Sequence, residues 1–441
     1  MSFNTEIQKT TLSNGIRVLS ESVPYVDSVS AGVWVDVGAR DEYGKTRGAS
    51  HFIEHMLFKG TEKRSARQIA DEMDSIGGHL NAFTDKETTW FYAKVLSEHL
   101  PTAADILSDM ILHSTFDEIE LDRERNVVLE EIKRHEDMPD DLVHDVFAQT
   151  LWHGHPLGNS VIGTKNAVEG FTRESLLKHM ERSYTPDNIV IAVAGNLEHD
   201  KLVEIIDKQF GGMSGKHVAR HEHPVEVVGA SRVVPKHVGQ VHFCIGSRGY
   251  SQYNEDKYIL AVLDAILGGG MSSRLFQEIR ENRGLVYTIG SYSASFREGG
   301  MFTVYAGTSV ENADLVTDLV KREFQTIKTE KVDDTELIRG KNQIRGALVL
   351  GQESMSNRMS RMANSELYFG RIIPVQEIIE AVMKVTAEDI IRVANELFRD
   401  NQIAFSAVGP FKRVKGQTIL VPPTDDEIEQ MSSYSADDDW N

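Results

Sequence analysis

Two imidazoles and a carboxylate, His51, Glu54 and His55 in "HFIEHMLFKGT", are the side chains whose types and spacing could do chemistry. On a helix, positions i, i+3 and i+4 share one face, so the three groups would project together. The residues among them, Phe52, Ile53, Met56, Leu57 and Phe58, are apolar and ask for a buried helix. Polar groups are costly to bury there without partners. Two neutral imidazoles one turn apart can each give a nitrogen to one Zn²⁺ at ~2.0–2.1 Å. Glu54 would then lie beside the metal-bound water as a general base, the H-x-x-E-H order of one class of metallopeptidase. The competing reading has both histidines bonded to backbone carbonyls, with no metal.

A catalytic zinc takes three protein ligands and keeps a fourth position for water. The segment "ERNVVLEEIKRHED" offers Glu124 and Glu131, seven apart and so two turns along one face. Glu130 points ~100° away from Glu131 by helical geometry. Spacing alone does not choose among them, because paired glutamates on a helix also occur simply as a solvated face.

The elements that must position these groups follow from hydrophobic period. "NGIRVLSES" and "DSVSAGVWVDVG" read as strands, followed by the helix of His51 and a second helix in "ARQIADEMDSIGG", stopped by Gly77 and Gly78. Strands in "HLNAFTDKETTWFYAKVL" precede helices in "SEHLPTAADILSDMIL" and "DEIELDRERNVVLEEIKRHED", then a buried strand in "PDNIVIAVAGNL" and a helix in "EHDKLVEIIDKQF". After "GGMSGKHVARHEHPVEVVGASRVVP", rich in glycine, proline and basic residues, the order returns. Strand "QVHFCIGSRGY", helices "NEDKYILAVLDAIL" and "SSRLFQEIREN", strands "TIGSYSAS" and "GGMFTVYAG", and finally "DNQIAFSAVG" repeat the pattern. "DNIVIAVAGN" and "DNQIAFSAVG" are offset by 213 (400 − 187), and "ETTWFYAKV" and "EGGMFTVYA" by 211 (298 − 87).

A near-constant offset predicts an internal duplication. The expected fold class is α+β: two duplicated halves, each a mainly antiparallel sheet packed with helices on one side. The expected boundaries are residues 1–211 for the first half, 212–230 for a linker, 231–415 for the second half and 416–441 for an acidic tail. The tail's composition predicts disorder. Adding 211 to 51, 54 and 55 lands on Val262, Ala265 and Ile266 in "AVLDAIL", ordinary core residues. The fold therefore does not itself require His, Glu and His at those places.

Composition narrows the function classes. With 441 residues, one cysteine and a formal charge of −20, the chain excludes an internal disulfide and argues against nucleic-acid binding. No run approaches the ~18 apolar residues of a membrane span. "MSFNTEIQKT" lacks the features of a signal or transit peptide, which predicts a cytoplasmic (bacterial) protein, or an organellar matrix protein after processing. "LGGGMSS" lacks the Gly-Lys-Ser/Thr ending of a phosphate loop, and the histidines of "WHGHP" and "RHEHP", beside prolines and glycines, read as loop structure.

Several motifs in order, "HFIEHMLFKGT", "GGHLNAFTDKETTWF", "EEIKRHEDMPDD", "HPLGNSVIGT" and "LGGGMSSRLFQEIRENRGLVY", together resemble the pitrilysin family of zinc peptidases. The resemblance runs from about Leu12 to Gly409 and is strongest to the short-chain branch containing mitochondrial processing peptidase and its bacterial relatives. It implies one Zn²⁺ per chain, with His51, His55 and Glu131 as ligands, Glu54 as catalytic base and Glu124 supporting a ligand histidine. Zinc would lower the pKa of its water toward ~7. It further implies that Arg280 and Tyr287 contact substrate, with Arg283 a rival for the arginine. "GGHLNAFTD" resembles the family's edge strand, whose backbone around Leu80, Asn81, Ala82 and Phe83 pairs with an extended peptide. The expectation is a zinc endopeptidase of unfolded or extended peptides, working as a homodimer around a chamber, with no nucleic acid and no membrane span. The alternatives are a noncatalytic core-type subunit and a presequence-binding, chaperone-like protein of the same fold.

Overall fold

The computed structural model describes residues 6–217, 220, 229–414 and 417–420. Much of the expected linker (218–219 and 221–228, with the "HEHP" histidines) and the tail, apart from 417–420, lie outside the described residues.

Six strands, β1 (Ile7–Thr11), β2 (Arg17–Ser22), β3 (Ser28–Val35), β4 (His79–Thr84), β5 (Thr89–Leu96) and β6 (Ile189–Gly195), form one sheet in the order β1-β2-β6-β3-β5-β4. Five more, β7 (Ser231–Pro235), β8 (Val241–Gly249), β9 (Val286–Ser295), β10 (Gly300–Thr308) and β11 (Ala404–Gly409), form a second in the order β7-β11-β8-β10-β9. Without β1 the two orders match strand for strand. In each, one pair is parallel (β2 with β6, β7 with β11) and the rest are antiparallel. Thr84 pairs with Thr89 and Ser295 with Gly300, so the edge hairpins repeat at an offset of 211 (295 − 84). The chain is a duplication of one α+β unit.

The first half carries helices α1 (Ala49–Leu57), α2 (Ala66–Ser75), α3 (Leu100–His113), α4 (Glu118–Asp137), α5 (Pro139–Leu151), α6 (Lys165–Glu169), α7 (Arg173–Ser183) and α8 (His199–Phe210). The second carries α9 (Lys257–Leu267), α10 (Ala313–Thr329), α11 (Asp334–Gly351), α12 (Met355–Phe369), α13 (Val375–Lys384) and α14 (Ala387–Leu397). Phe52, Ile53 and Met56 of α1 join Ile106 and Met110 of α3 and Leu202 and Ile206 of α8 against Val33, Phe91 and Ile191 of the first sheet. Each such side chain gains ~1.5–3 kcal/mol from leaving water, which anchors α1 by its apolar stripe. "SSRLFQEIREN" differs from an ordinary helix, since Phe276–Glu281 is wound as a π-helix. No helix among the described residues is long and apolar enough to cross a membrane.

By compactness the chain divides into one unit of residues 1–133, 159–221 and 348–375 and another of 134–158, 222–347 and 376–441. The halves exchange helices. In the first unit α12 covers the remaining face of the sheet, where Met359, Met362, Ala363 and Leu367 meet Leu19, Trp34, Val190 and Ala192. Buried Arg358 also pairs with Glu21, and the Tyr368 hydroxyl donates to Glu87 Oε2 at 2.9 Å. In the second unit α5 does the same, setting Val143, Phe147 and Leu151 against Cys244, Ala404 and Val408. The expected halves and the compact units thus differ by these segments. Periodicity shows that α5 and α12 have a face to bury, but not which sheet receives it.

Candidate metal centre

Because α1 packs Phe52, Ile53 and Met56 inward, its His51, Glu54 and His55 stripe turns toward α4 and β4. His51 is buried, while Glu54 and His55 are half-buried. On α4, Leu121, Glu124, Val128 and Ile132 are buried, which points Glu124 and Glu131 at α1. Glu130 points outward, where it accepts from Lys133 Nζ at 2.6 Å.

Glu131 Oε2 lies 3.8 Å from His51 Nε2 and 3.8 Å from His55 Nε2. All three ligand-type atoms lie within 4.8 Å of one another, and no other such group occurs among the described residues. These separations are too long for hydrogen bonds. They are close to the ~3.4 Å between ligand atoms around a tetrahedral ion with bonds of ~2.1 Å. Two imidazole nitrogens and a carboxylate that face one another without bonding to one another fit Zn²⁺.

Electrostatics agree with that use. Burial, and then the neighbouring His55, push the His51 imidazole down to about 3, leaving it neutral and able to ligate. Burial also pulls His55 down, but its hydrogen bond to Glu124 and the fields of Glu124, Glu131 and Glu54 outweigh it and raise the group. Positive charge is therefore favoured at this place. Glu124 Oε1 accepts from His55 Nδ1 at 2.8 Å and Oε2 from Lys59 Nζ at 2.6 Å. Burial acts to raise Glu124, yet these two bonds hold its carboxyl below the usual range. A charged carboxylate behind His55 fixes the tautomer that aims Nε2 at the cluster. Glu54 shifts the other way: burial raises its carboxyl, against the Thr84 hydroxyl that donates to Oε2 at 2.6 Å. A carboxylate with raised proton affinity suits a general base.

β4 ends the first sheet, so among the described residues its outer side carries no strand. Ala82 and Thr84 point inward while Asn81 and Phe83 are exposed, as a period of two requires. Within the second unit, Arg280 lies over the Phe276 ring at 4.6 Å and the Tyr287 ring at 5.8 Å. Tyr287 is 80% exposed. The Arg283 guanidinium is taken by Glu278 at 2.6 and 2.8 Å. His155 of "WHGHP" accepts from Leu157 N–H at 3.1 Å and sits 3.1 Å from Glu298, a structural role.

Three residues escaped the sequence reading: Lys59, Thr84 and Glu42. Lys59 stands four positions beyond His55, a spacing that could have exposed it. Thr84 needed the strand pairing. Glu42 is fully buried, its Oε2 accepting from Gly48 N–H at 2.5 Å and its Oε1 from Ser50 N–H at 2.6 Å. Burial pushes its carboxyl up to about 8 against the pull of those donors, and in either protonation state each oxygen has a lone pair for its N–H.

Family models match residues 17–165 as insulinase (peptidase family M16) and residues 170–344 as the peptidase M16 inactive domain. An uncharacterized zinc protease of Bacillus subtilis, YmxG, is 41% identical over 404 residues, covering 92% of this chain and 98% of its own. An uncharacterized zinc protease of Rickettsia felis is 39% identical over 412 residues, 93% of this chain and 98% of its own. The fold matches a protease from Helicobacter pylori with a TM-score of 0.87 at 23% identity, over 92% of this chain and 99% of that one. A Pseudomonas fluorescens structure titled as a peptidase M16 inactive domain gives 0.86 at 19% identity, over 93% and 99%. This chain belongs to the M16 peptidase family.

Proposed function

We propose that the chain is a zinc endopeptidase of extended or unfolded peptides, holding one zinc ion and working as a cytoplasmic homodimer. The carrying observation is the convergence of His51, His55 and Glu131 within 4.8 Å beside a half-buried Glu54. The names of the relatives support the metal and the reaction class.

His51, His55 and Glu131 hold the ion, and Glu124 with Lys59 orients His55. Bound zinc supplies a Lewis acid that eases loss of a proton from water and polarises a carbonyl. Glu54 takes the proton from the attacking water and passes it to the leaving amine. The backbone of Leu80, Asn81, Ala82 and Phe83 pairs with the peptide, which accepts many sequences because ladder bonds ignore side chains. Arg280 and Tyr287 contact substrate. Arg280 takes this role over Arg283 because Glu278 already occupies Arg283. A lone cysteine, buried at position 244, suits a reducing compartment.

Metal analysis with a peptide assay tests the reading. The purified chain should carry one zinc, lose hydrolysis to a chelator and regain it on adding zinc. Glu54→Gln should keep the metal and lose activity, and an active Glu54→Gln protein would remove the mechanism. For the homodimer, inactive His51→Ala protein is mixed with inactive Arg280→Ala/Tyr287→Ala protein. Subunit exchange without recovered activity rules out a shared site.

A further inference from the structure

We propose that Glu42 is a positioning residue for the metal: its carboxyl replaces the missing N-cap side chain of α1 and so fixes where His51 meets His55 and Glu131. The inference rests on the metal reading above.

Helix N-termini carry unsatisfied N–H groups, usually met by a Ser, Thr, Asp or Asn at the cap. The cap of α1 is Gly48, at φ 89°, with no side chain to offer. None could stand there, since a Cβ would come within 2.8 Å of Gly163 Cα and the Ile162 carbonyl. Glu42, six residues earlier, takes over the role through both oxygens, binding the N–H groups of Gly48 and Ser50. The next residue is His51. The Ser50 hydroxyl lies 3.2 Å from His179 Nε2 of α7, which ties the same turn to a second helix.

A second observation makes this clamp matter for the metal. Ligand histidines normally donate their other ring N–H to an acceptor that sets the ring. His55 has Glu124 for this purpose, whereas His51 Nδ1 is buried with no hydrogen-bond partner among the described residues. The His51 ring therefore takes its place from packing and from its backbone, one residue beyond the N–H that Glu42 holds.

The test compares wild type, Glu42→Gln and Glu42→Asp by zinc competition with a chromogenic chelator. Hydrogen–deuterium exchange over residues 44–57 of the metal-free protein, and kcat and KM at saturating zinc, accompany it. Glu42→Gln should weaken zinc binding ~10–100-fold, the usual cost of losing a group that orients a ligand. Exchange should rise at the start of α1, and kcat should fall with little change in KM. Glu42→Asp, one methylene short, should lie between. Variants that bind zinc like wild type and lose only thermal stability would overturn the proposal, as would failure of both to fold, which would make Glu42 a general folding requirement. A wild-type chain that takes up no zinc refutes the metal reading and this inference with it; zinc uptake equal in all three refutes this inference alone.

Discussion

At one end of the first sheet α1 runs beside edge strand β4; at the corresponding end of the second, α9 runs beside edge strand β9. Matched by their last residues, Leu57 and Leu267, the helices are offset by 210 (267 − 57). That is one residue less than the 211 of the edge hairpins, and it sets Glu54 opposite Asp264, His51 opposite Ala261 and His55 opposite Ala265. Val262 and Ile266, where an offset of 211 lands, are buried core residues.

Both acids reach their edge strand. Glu54 accepts from Thr84, and Asp264 accepts from the hydroxyls of Ser291 and Ser293. The second corner then goes further. The Gly268 carbonyl accepts Ser291 N–H at 3.2 Å, an approach that only glycine permits because a Cβ would lie 2.4 Å from that nitrogen. β9 is latched to its own helix, while among the described residues no strand pairs with the outer side of β4. Exposed edges invite pairing with other chains, so a bond that ties part of an edge to its own helix is protective there, and an edge without one suits a peptide partner. An acid facing the edge strand is thus common to both halves, and the two imidazoles are what the first half adds.

Several measurements would break or sharpen this contrast. The largest effect is on catalysis: Glu54→Gln should lower peptide hydrolysis ~10²–10⁴-fold, while Asp264→Asn should leave it near wild type. Equal losses would erase the functional difference between the corners. On the metal, Glu124→Gln should weaken zinc binding ~10–100-fold, as measured by chelator competition. Asp264→Asn should not move it. On stability, Asp264→Ala takes the carboxylate acceptor from Ser293 and leaves Ser291 only the main-chain carbonyl of residue 264 at 3.3 Å, and should cost ~1–3 kcal/mol in denaturant unfolding. An unchanged midpoint would mean that the latch holds nothing.

A further effect is a pH slope. Burial pushes Asp264 up to about 6 from its ordinary 3.8, against the serine bonds. Between those values the folded chain holds a proton that the unfolded chain has lost. Its contribution is therefore fully present below pH 3.8 and lost as pH rises through 6. Wild type should lose stability relative to Asp264→Asn across that window, and parallel pH curves would contradict the shift.

Much of this was legible in the chain. The i, i+3, i+4 stripe of α1 and the offsets near 211 required only helical and strand periods, and both sheets appear in the structure with matching strand order. Between Glu124, Glu130 and Glu131 spacing could not decide, because burial of Leu121, Val128 and Ile132 is what rotates α4. The one-residue difference between helix and hairpin offsets was hidden too, so the opposition of Glu54 and Asp264 went unseen. Glu42 left only a faint trace, a glycine standing where a capping side chain belongs.

The sequence by itself determined local matters: which residues share a helix face, which strands alternate, and that one half carries imidazoles the other lacks. These depend on backbone geometry, which repeats every few residues whatever lies nearby. Tertiary structure alone decided which distant carboxylate faces the histidines, which acid caps their helix, which sheet receives α5 and α12, and which edge stays open. Those outcomes depend on which surfaces lose water together, and residues far apart in the chain settle that jointly.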